Sequence, residues 1–125
     1  MSTSKEEIRR KYNLTDEEYD VVVALALRPT CENCNKALAP GAADARICSF
    51  ECTFCANCVA SVLGNVCPNC GGGFTPRPVR PRTNWKNNNF LGAVPARTLA
   101  RHQPVDPAVH AAFSMPIATI PPEQR

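Results

Sequence analysis

Hydrophobic positions fall into three textures along the chain. In residues 15–28, Tyr19, Val22, Val23 and Ala26 recur at helical spacing. Thr15-Asp16-Glu17-Glu18 has the form of a capping box, with Thr15 accepting from an early backbone N–H and Glu18 reaching back. The pattern predicts a helix that Pro29 ends, because the residue before a proline is pushed toward extended geometry. Its β-branched start, Val21-Val22-Val23, leaves a strand as the lesser reading. Residues 4–12 suit a short charged helix ahead of it.

The middle texture, residues 31–75, holds all eight cysteines and few large apolar side chains. Ile47, Phe50, Phe54, Val59, Val62, Leu63 and Val66 are the candidate core. Residues 59–63 are long enough for a short helix, with Gly64 as its C-cap. Pro40-Gly41 signals a turn. Arg46-Ile47 and Ser49-Phe50 suit a short hairpin. From Pro76 onward, PRPVRPRTNWKNNNF shows no apolar period and reads as extended or irregular. Asp106-Pro107 then opens a short helix near residues 107–114, with aspartate as N-cap and proline at the first helical position. Val109, Ala112 and Phe113 share one face of it, and Pro116 stops it. Trp85, Phe90 and Phe113 are candidate anchors for this tail. The expected division is a helical extension over 1–28, a cysteine module over 29–75 and a proline-rich basic tail over 76–125.

Composition sharpens the middle region. At 125 residues with 6% aromatics and 12 prolines, a large aromatic core is not expected. Such a module needs a staple, either disulfides or metal. The opening MSTSKEEIRRKY lacks an apolar h-region, so no signal peptide is expected. No apolar run approaches the ~20 residues that span a bilayer. The expectation is a soluble cytoplasmic protein, where clustered cysteines favour metal over disulfides.

The cysteines are Cys31, Cys34, Cys48, Cys52, Cys55, Cys58, Cys67 and Cys70, spaced C-x2-C-x13-C-x3-C-x2-C-x2-C-x8-C-x2-C. A C-x2-C turn aims two sulfurs at one metal, so four pairs fill two closed tetrahedral sites. Two Zn²⁺ ions are the expected cofactors. A cross-braced arrangement gives Cys31, Cys34, Cys55 and Cys58 at one ion and Cys48, Cys52, Cys67 and Cys70 at the other. It is favoured because Cys55 and Cys58 lead directly into the candidate helix, whose dipole stabilises thiolates. A sequential arrangement, with Cys31, Cys34, Cys48 and Cys52 together, is the rival. After the last ligand, Gly71 can adopt the positive φ that lets backbone N–H groups approach sulfur. Pro68 pre-sets the turn inside Cys67-Pro-Asn-Cys70.

Charge is uneven. Residues 1–27 carry four basic and six acidic groups, and residues 77–125 carry seven basic and two acidic. Eight thiolates on two Zn²⁺ would bring the formal +3 to about −1, which weakens any argument for nucleic acid from overall charge.

The strings ICSFECTFC and NVCPNCGGGF, within residues 25–82, resemble the bacterial family called domain of unknown function 1272. That resemblance implies zinc binding and names no activity. It also implies that residues 1–23 are either an extension or a matter of start-site choice. The cysteine order further resembles a RING finger, so the expected fold is a small zinc-stabilised α+β module of RING-like or treble-clef cross-brace type. Departures matter for activity. Asn33 stands where ligase-type RING fingers carry an apolar residue, Gly71 where a basic residue is frequent, and Val66 near a usual aromatic.

The leading functional reading is a structural zinc module that binds a protein partner. A ubiquitin-like ligase is the first alternative; it would act by holding a thioester carrier in a reactive pose. Nucleic-acid binding through Arg77, Arg80, Arg82, Trp85 and Lys86 is the second, since basic and aromatic side chains contact phosphate and stack on bases. Against it, the same stretch reads as a solvated linker held extended by Pro76, Pro78 and Pro81. Redox sensing by thiolates ranks lower, because two full sites leave no resolving thiol. His102 and His110 are expected to be exposed and to bind no metal. Asp44 and Glu51 lie near cysteines but meet no catalytic constellation.

Overall fold

A computed structural model describes residues 24–125. The helix expected from Thr15 lies outside the described residues except at its end. Residues 24–28, which it was expected to reach, carry no helical turn. Arg28 is instead tied to distant chain: its Nε donates to the Glu51 carbonyl at 3.2 Å, and its own carbonyl accepts from Arg77 Nη1 at 2.9 Å.

The chain divides into two compact units, one of residues 28–80 with 97–125 and another that includes 24–27 and 81–96. The first contains a three-stranded antiparallel sheet ordered β2-β1-β3. These strands are β1 (Ala45–Ile47), β2 (Thr53–Cys55) and β3 (Thr75–Pro76). Ala45 faces Cys55 and Ile47 faces Thr53 across the hairpin, while Ile47 faces Thr75 on the other side. Along β1, Ala45 and Ile47 are buried and Arg46 is only partly so, the period-two signature of a half-covered sheet. Pro76 is tolerated because β3 is an edge strand.

The hairpin therefore forms, but its second strand is Thr53–Cys55 rather than Ser49-Phe50. Residues 48–52 are the connection, and Phe50, expected in the core, is 73% exposed there. The 75/76 boundary suggested by composition passes through β3.

Directly after β2, α1 (Ala56–Cys58) runs into a π-helical turn over Val59–Leu63. Gly64 ends it in the left-handed region, at φ 58°, with its N–H on the Val59 carbonyl. Leu38, Ala45, Phe54 and Leu63 pack with six of the cysteines in one buried cluster. Phe74 meets Phe54 edge-to-face at 5.4 Å.

The second α-helix, α2 (Pro107–Ser114), starts as the sequence predicts: Asp106 accepts from Ala108 N–H at 2.9 Å and Val109 N–H at 3.2 Å. Its buried side is a different one. His110 is 3% exposed, whereas Val109 is 67% exposed. The imidazole Nε2 lies 2.9 Å from the Leu63 carbonyl, so that nitrogen carries the proton; the same carbonyl also accepts from the Val66 N–H at 3.1 Å. His110 was expected at the surface; its buried ring has Nε2 bonded to the Leu63 carbonyl and Nδ1 without a hydrogen-bond partner among the described residues.

In the second unit, residues 81–96 have no regular element. A turn closes with Asn87 and Asn88 at positive φ and the Asn88 N–H on Asn84 Oδ1 at 3.0 Å. Trp85 is 80% exposed and anchors nothing within this unit.

Candidate metal centre

Three loops bend the chain around sulfur. At Cys31–Cys34, the Asn35 N–H returns to the Cys31 carbonyl at 2.9 Å and the Cys31 N–H reaches the Lys36 carbonyl at 2.9 Å. At Cys67–Cys70 the same two bonds recur, Gly71 N–H to Cys67 carbonyl and Cys67 N–H to Gly72 carbonyl, each 2.8 Å. Both turns need a residue at positive φ just after the second cysteine, supplied by Asn35 (61°) and Gly71 (79°). The longer Cys48–Cys52 loop places Glu51 at 67°. Cys55 and Cys58 come from the junction of β2 and α1, where Cys55 Sγ accepts from Cys58 N–H at 3.5 Å.

These elements bring the sulfurs of Cys31, Cys34, Cys55 and Cys58 within 4.8 Å of one another. A second group joins Cys48, Cys67 and Cys70 on the same criterion. Cys52 lies outside that set but borders it, sharing a side-chain contact with Cys48. No pair is joined as a disulfide, and Cys34 and Cys70 are the exposed members.

Side chains and backbone aim donors at sulfur. Asn33 Nδ2 lies 3.3 Å from Cys58 Sγ, and Asn69 Nδ2 lies 3.4 Å from Cys52 Sγ. The Phe50 N–H points to Cys48 Sγ at 3.3 Å and the Gly72 N–H to Cys70 Sγ at 3.4 Å. Donors of this kind favour the thiolate over the thiol.

Burial works the other way. It pushes Cys58 up to about 12, with Asn33 opposing and the neighbouring Cys55 adding to the rise. Burial likewise raises Cys67, Cys52 and Cys34. At Cys31 burial is outweighed by hydrogen bonds from the backbone of Cys34, Cys55 and Asn33, and the thiol is lowered. Crowded thiolates repel one another in a half-dry site, and a divalent cation is the group that reverses that balance. The donor set thus fits a bound metal.

The roles of three neighbours escaped the sequence reading. Glu32, inside the first turn, is 1% exposed. Its Oε2 accepts from the Thr53 N–H at 2.7 Å, and the Glu32 N–H donates to the Thr53 carbonyl at 2.9 Å, locking the turn to β2. Asn33 and Asn69 occupy the same place in Cys-x-Asn-Cys, and that shared residue is the signal that could have exposed them. The signal is not sufficient alone, since Asn57 in Cys55-Ala-Asn-Cys58 is helical and exposed.

Other candidate residues are redirected. Arg77, a phosphate contact under the nucleic-acid alternative and otherwise read as part of a solvated linker, is 4% exposed and gives Nη1 to the Arg28 carbonyl and Nη2 to the Ala39 carbonyl, at 2.9 and 3.0 Å. It is a strut between loops. Arg82, Trp85 and Lys86 are exposed, and Arg80 is partly buried. His102 is exposed, with Nε2 3.1 Å from the Asn33 carbonyl. Asp44 is engaged by Lys36 at 2.5 Å. Among the described residues, no helix is long and apolar enough to cross a membrane.

The class defined here is a small cysteine-rich module whose two sulfur clusters can hold metal ions. Residues 24–80 match the family described as a protein of unknown function (DUF1272). An uncharacterized protein of Rhizobium meliloti (strain 1021) is 56% identical over 62 residues, which cover 50% of this chain and 74% of the relative. The chain belongs to that family. No solved structure matches it.

Proposed function

We propose that the protein is a two-zinc, RING-like module of treble-clef type that serves as a cytoplasmic protein-interaction unit. The first ion is held by Cys31, Cys34, Cys55 and Cys58, and the second by Cys48, Cys52, Cys67 and Cys70. The observation that carries this reading is the four-sulfur cluster, in which Cys34 and Cys55 stand 3.8 Å apart. A tetrahedron with zinc–sulfur bonds of about 2.3 Å has sulfur–sulfur edges of about 3.8 Å. Cys52 joins the second site by analogy of its donor, since Asn69 marks it as Asn33 marks Cys58.

Support for a protein partner is the surface beside the second cluster. Pro68, Val105, Val109, His110 and Phe113 line an open, mostly apolar cleft of about 270 Å³. Val109 and Phe113 at its edge are 67% and 42% exposed. The burial of Arg77 removes one contact from the nucleic-acid alternative.

Native mass spectrometry of the purified protein, before and after acid, tests the metal reading. Two zinc ions per chain are expected at neutral pH. Both should leave on acidification, because protons compete with metal for thiolate. Protein that stays folded while carrying no metal defeats it. For the partner, Val109→Asp with Phe113→Asp should abolish co-purification of a protein while leaving metal content at two.

A further inference from the structure

The C-terminal segment lies outside the residues matched by the family, yet it reaches the first cluster. Residues 101–105 run along the first cysteine turn. Arg101 Nε is 3.8 Å from Glu32 Oε1, and the Gln103 N–H donates to the Glu32 carbonyl at 2.8 Å. The Val105 N–H then donates to Asn33 Oδ1 at 2.8 Å. This last bond falls on the same amide whose Nδ2 faces Cys58 Sγ at 3.3 Å. A backbone N–H only donates, so the atom it meets is the amide oxygen, and the nitrogen is left for sulfur. Because the amide is planar, fixing one end aims the other.

At the second cluster no such relay from the tail exists among the described residues. Asn69 makes the corresponding bond to Cys52 from an exposed position. Arg125 there grips backbone instead, with Nη1 2.8 Å from the Asn65 carbonyl and 3.1 Å from that of Gly71.

We infer that residues 101–105 form a strap that holds the Asn33 amide on Cys58 and so retains the metal of the first cluster. The inference rests on the reading of the clusters as metal sites. Asn33 and Val105 are positioning residues. An N–H aimed at a metal-bound thiolate stabilises its charge and holds the sulfur in the orientation that binds the metal. Loss of an outer partner of this kind typically costs 10–100-fold in metal affinity. Without the strap, the Asn33 amide is free to turn toward water.

The test uses full-length zinc-loaded protein challenged with a chelator. Native mass spectrometry follows the metals, and alkylation with peptide mapping shows which cysteines become reactive. Val105→Pro removes the strap donor, and Asn33→Ala removes the relay. Each is expected to release one ion about tenfold faster, exposing Cys31 and Cys58 before Cys48 and Cys67. The double variant should be no faster than Asn33→Ala alone. Asn33→Asp keeps the acceptor for Val105 but has no N–H for sulfur, so it should also release fast; it carries the test if Val105→Pro fails to fold. Wild-type release from Asn33→Asp, or additive effects in the double variant, would overturn the strap while leaving the metal sites intact. An intact chain that holds no metal overturns both.

Discussion

The two short cysteine turns, Cys31-Glu-Asn-Cys34-Asn35 and Cys67-Pro-Asn-Cys70-Gly71, fold the same way and are supported differently. Their backbone hydrogen bonds agree to within 0.1 Å, and each sends an asparagine amide to a sulfur of a distant cysteine. The residues between the cysteines of the first turn are fastened to protein, Glu32 to β2 and Asn33 to the strap, while Cys34 and Asn35 face solvent. The second has a half-buried proline where the first has a buried carboxylate, and a glycine where the first has asparagine. A C-x2-C motif therefore fixes local shape, while the residues between and after the cysteines decide how tightly that shape is bound into the fold.

The harshest way to break the comparison is to remove a sulfur. Cys31→Ser and Cys67→Ser should each abolish one metal, with a loss that is a large part of the roughly 10–16 kcal/mol attributed to a structural zinc site. Zinc content by mass spectrometry should fall from two to one or none. The pairing is read from partners: Cys55→Ser should empty the same site as Cys31→Ser, and Cys48→Ser the same site as Cys67→Ser. If Cys55→Ser and Cys48→Ser empty one common site, the cross-brace is wrong.

A smaller effect separates the positions after the first cysteine of each turn. Glu32→Ala strips the buried Thr53 N–H of its acceptor, and an unsatisfied buried donor costs about 1–3 kcal/mol. Pro68→Ala has no comparable bond to lose and should cost less than about 1 kcal/mol, mostly by loosening the unfolded chain. Denaturant midpoints of the zinc-loaded variants decide it; equal shifts would mean that Glu32 does no more than fill space.

How far the sequence could foresee this depended on whether a residue's partner was local. The cap at Asp106, the end of the π turn at Gly64 and the left-handed Gly71 are all written in neighbours a few positions apart, and each has its expected element in the structure; of the eight cysteines, four gather in one cluster and three in another, with Cys52 outside the second. Arg77 and His110 were misread because their partners come from far along the chain. The Arg77 guanidinium is held by carbonyls of Arg28 and Ala39, and His110 by the carbonyl of Leu63. Backbone carbonyls leave no trace in side-chain patterns. Hydrophobicity also misleads where buried cysteines take the place of large apolar side chains: Phe50 lies in the loop between Cys48 and Cys52 and is left in solvent.

The finest difference between the turns is the left-handed residue itself. Gly71 sits at φ 79°, and a Cβ placed there would meet Ile117 Cδ1 at 3.6 Å and Phe113 Cζ at 3.8 Å, which is ordinary contact. Gly71→Ala is therefore penalised through backbone rather than crowding, by about 1–2 kcal/mol for a Cβ in the left-handed region. Asn35 already pays part of that penalty at φ 61°, softened by the tolerance of asparagine for this conformation. Asn35→Gly trades that residual strain against the greater freedom of glycine in the unfolded chain, so the two nearly offset, within about 0.5 kcal/mol. Thermal unfolding of the zinc-loaded proteins should show a clear drop for Gly71→Ala and almost none for Asn35→Gly. Equal drops would show that the second turn is held by its packing under Phe113 and Ile117, and that the two turns are less alike than their hydrogen bonds imply.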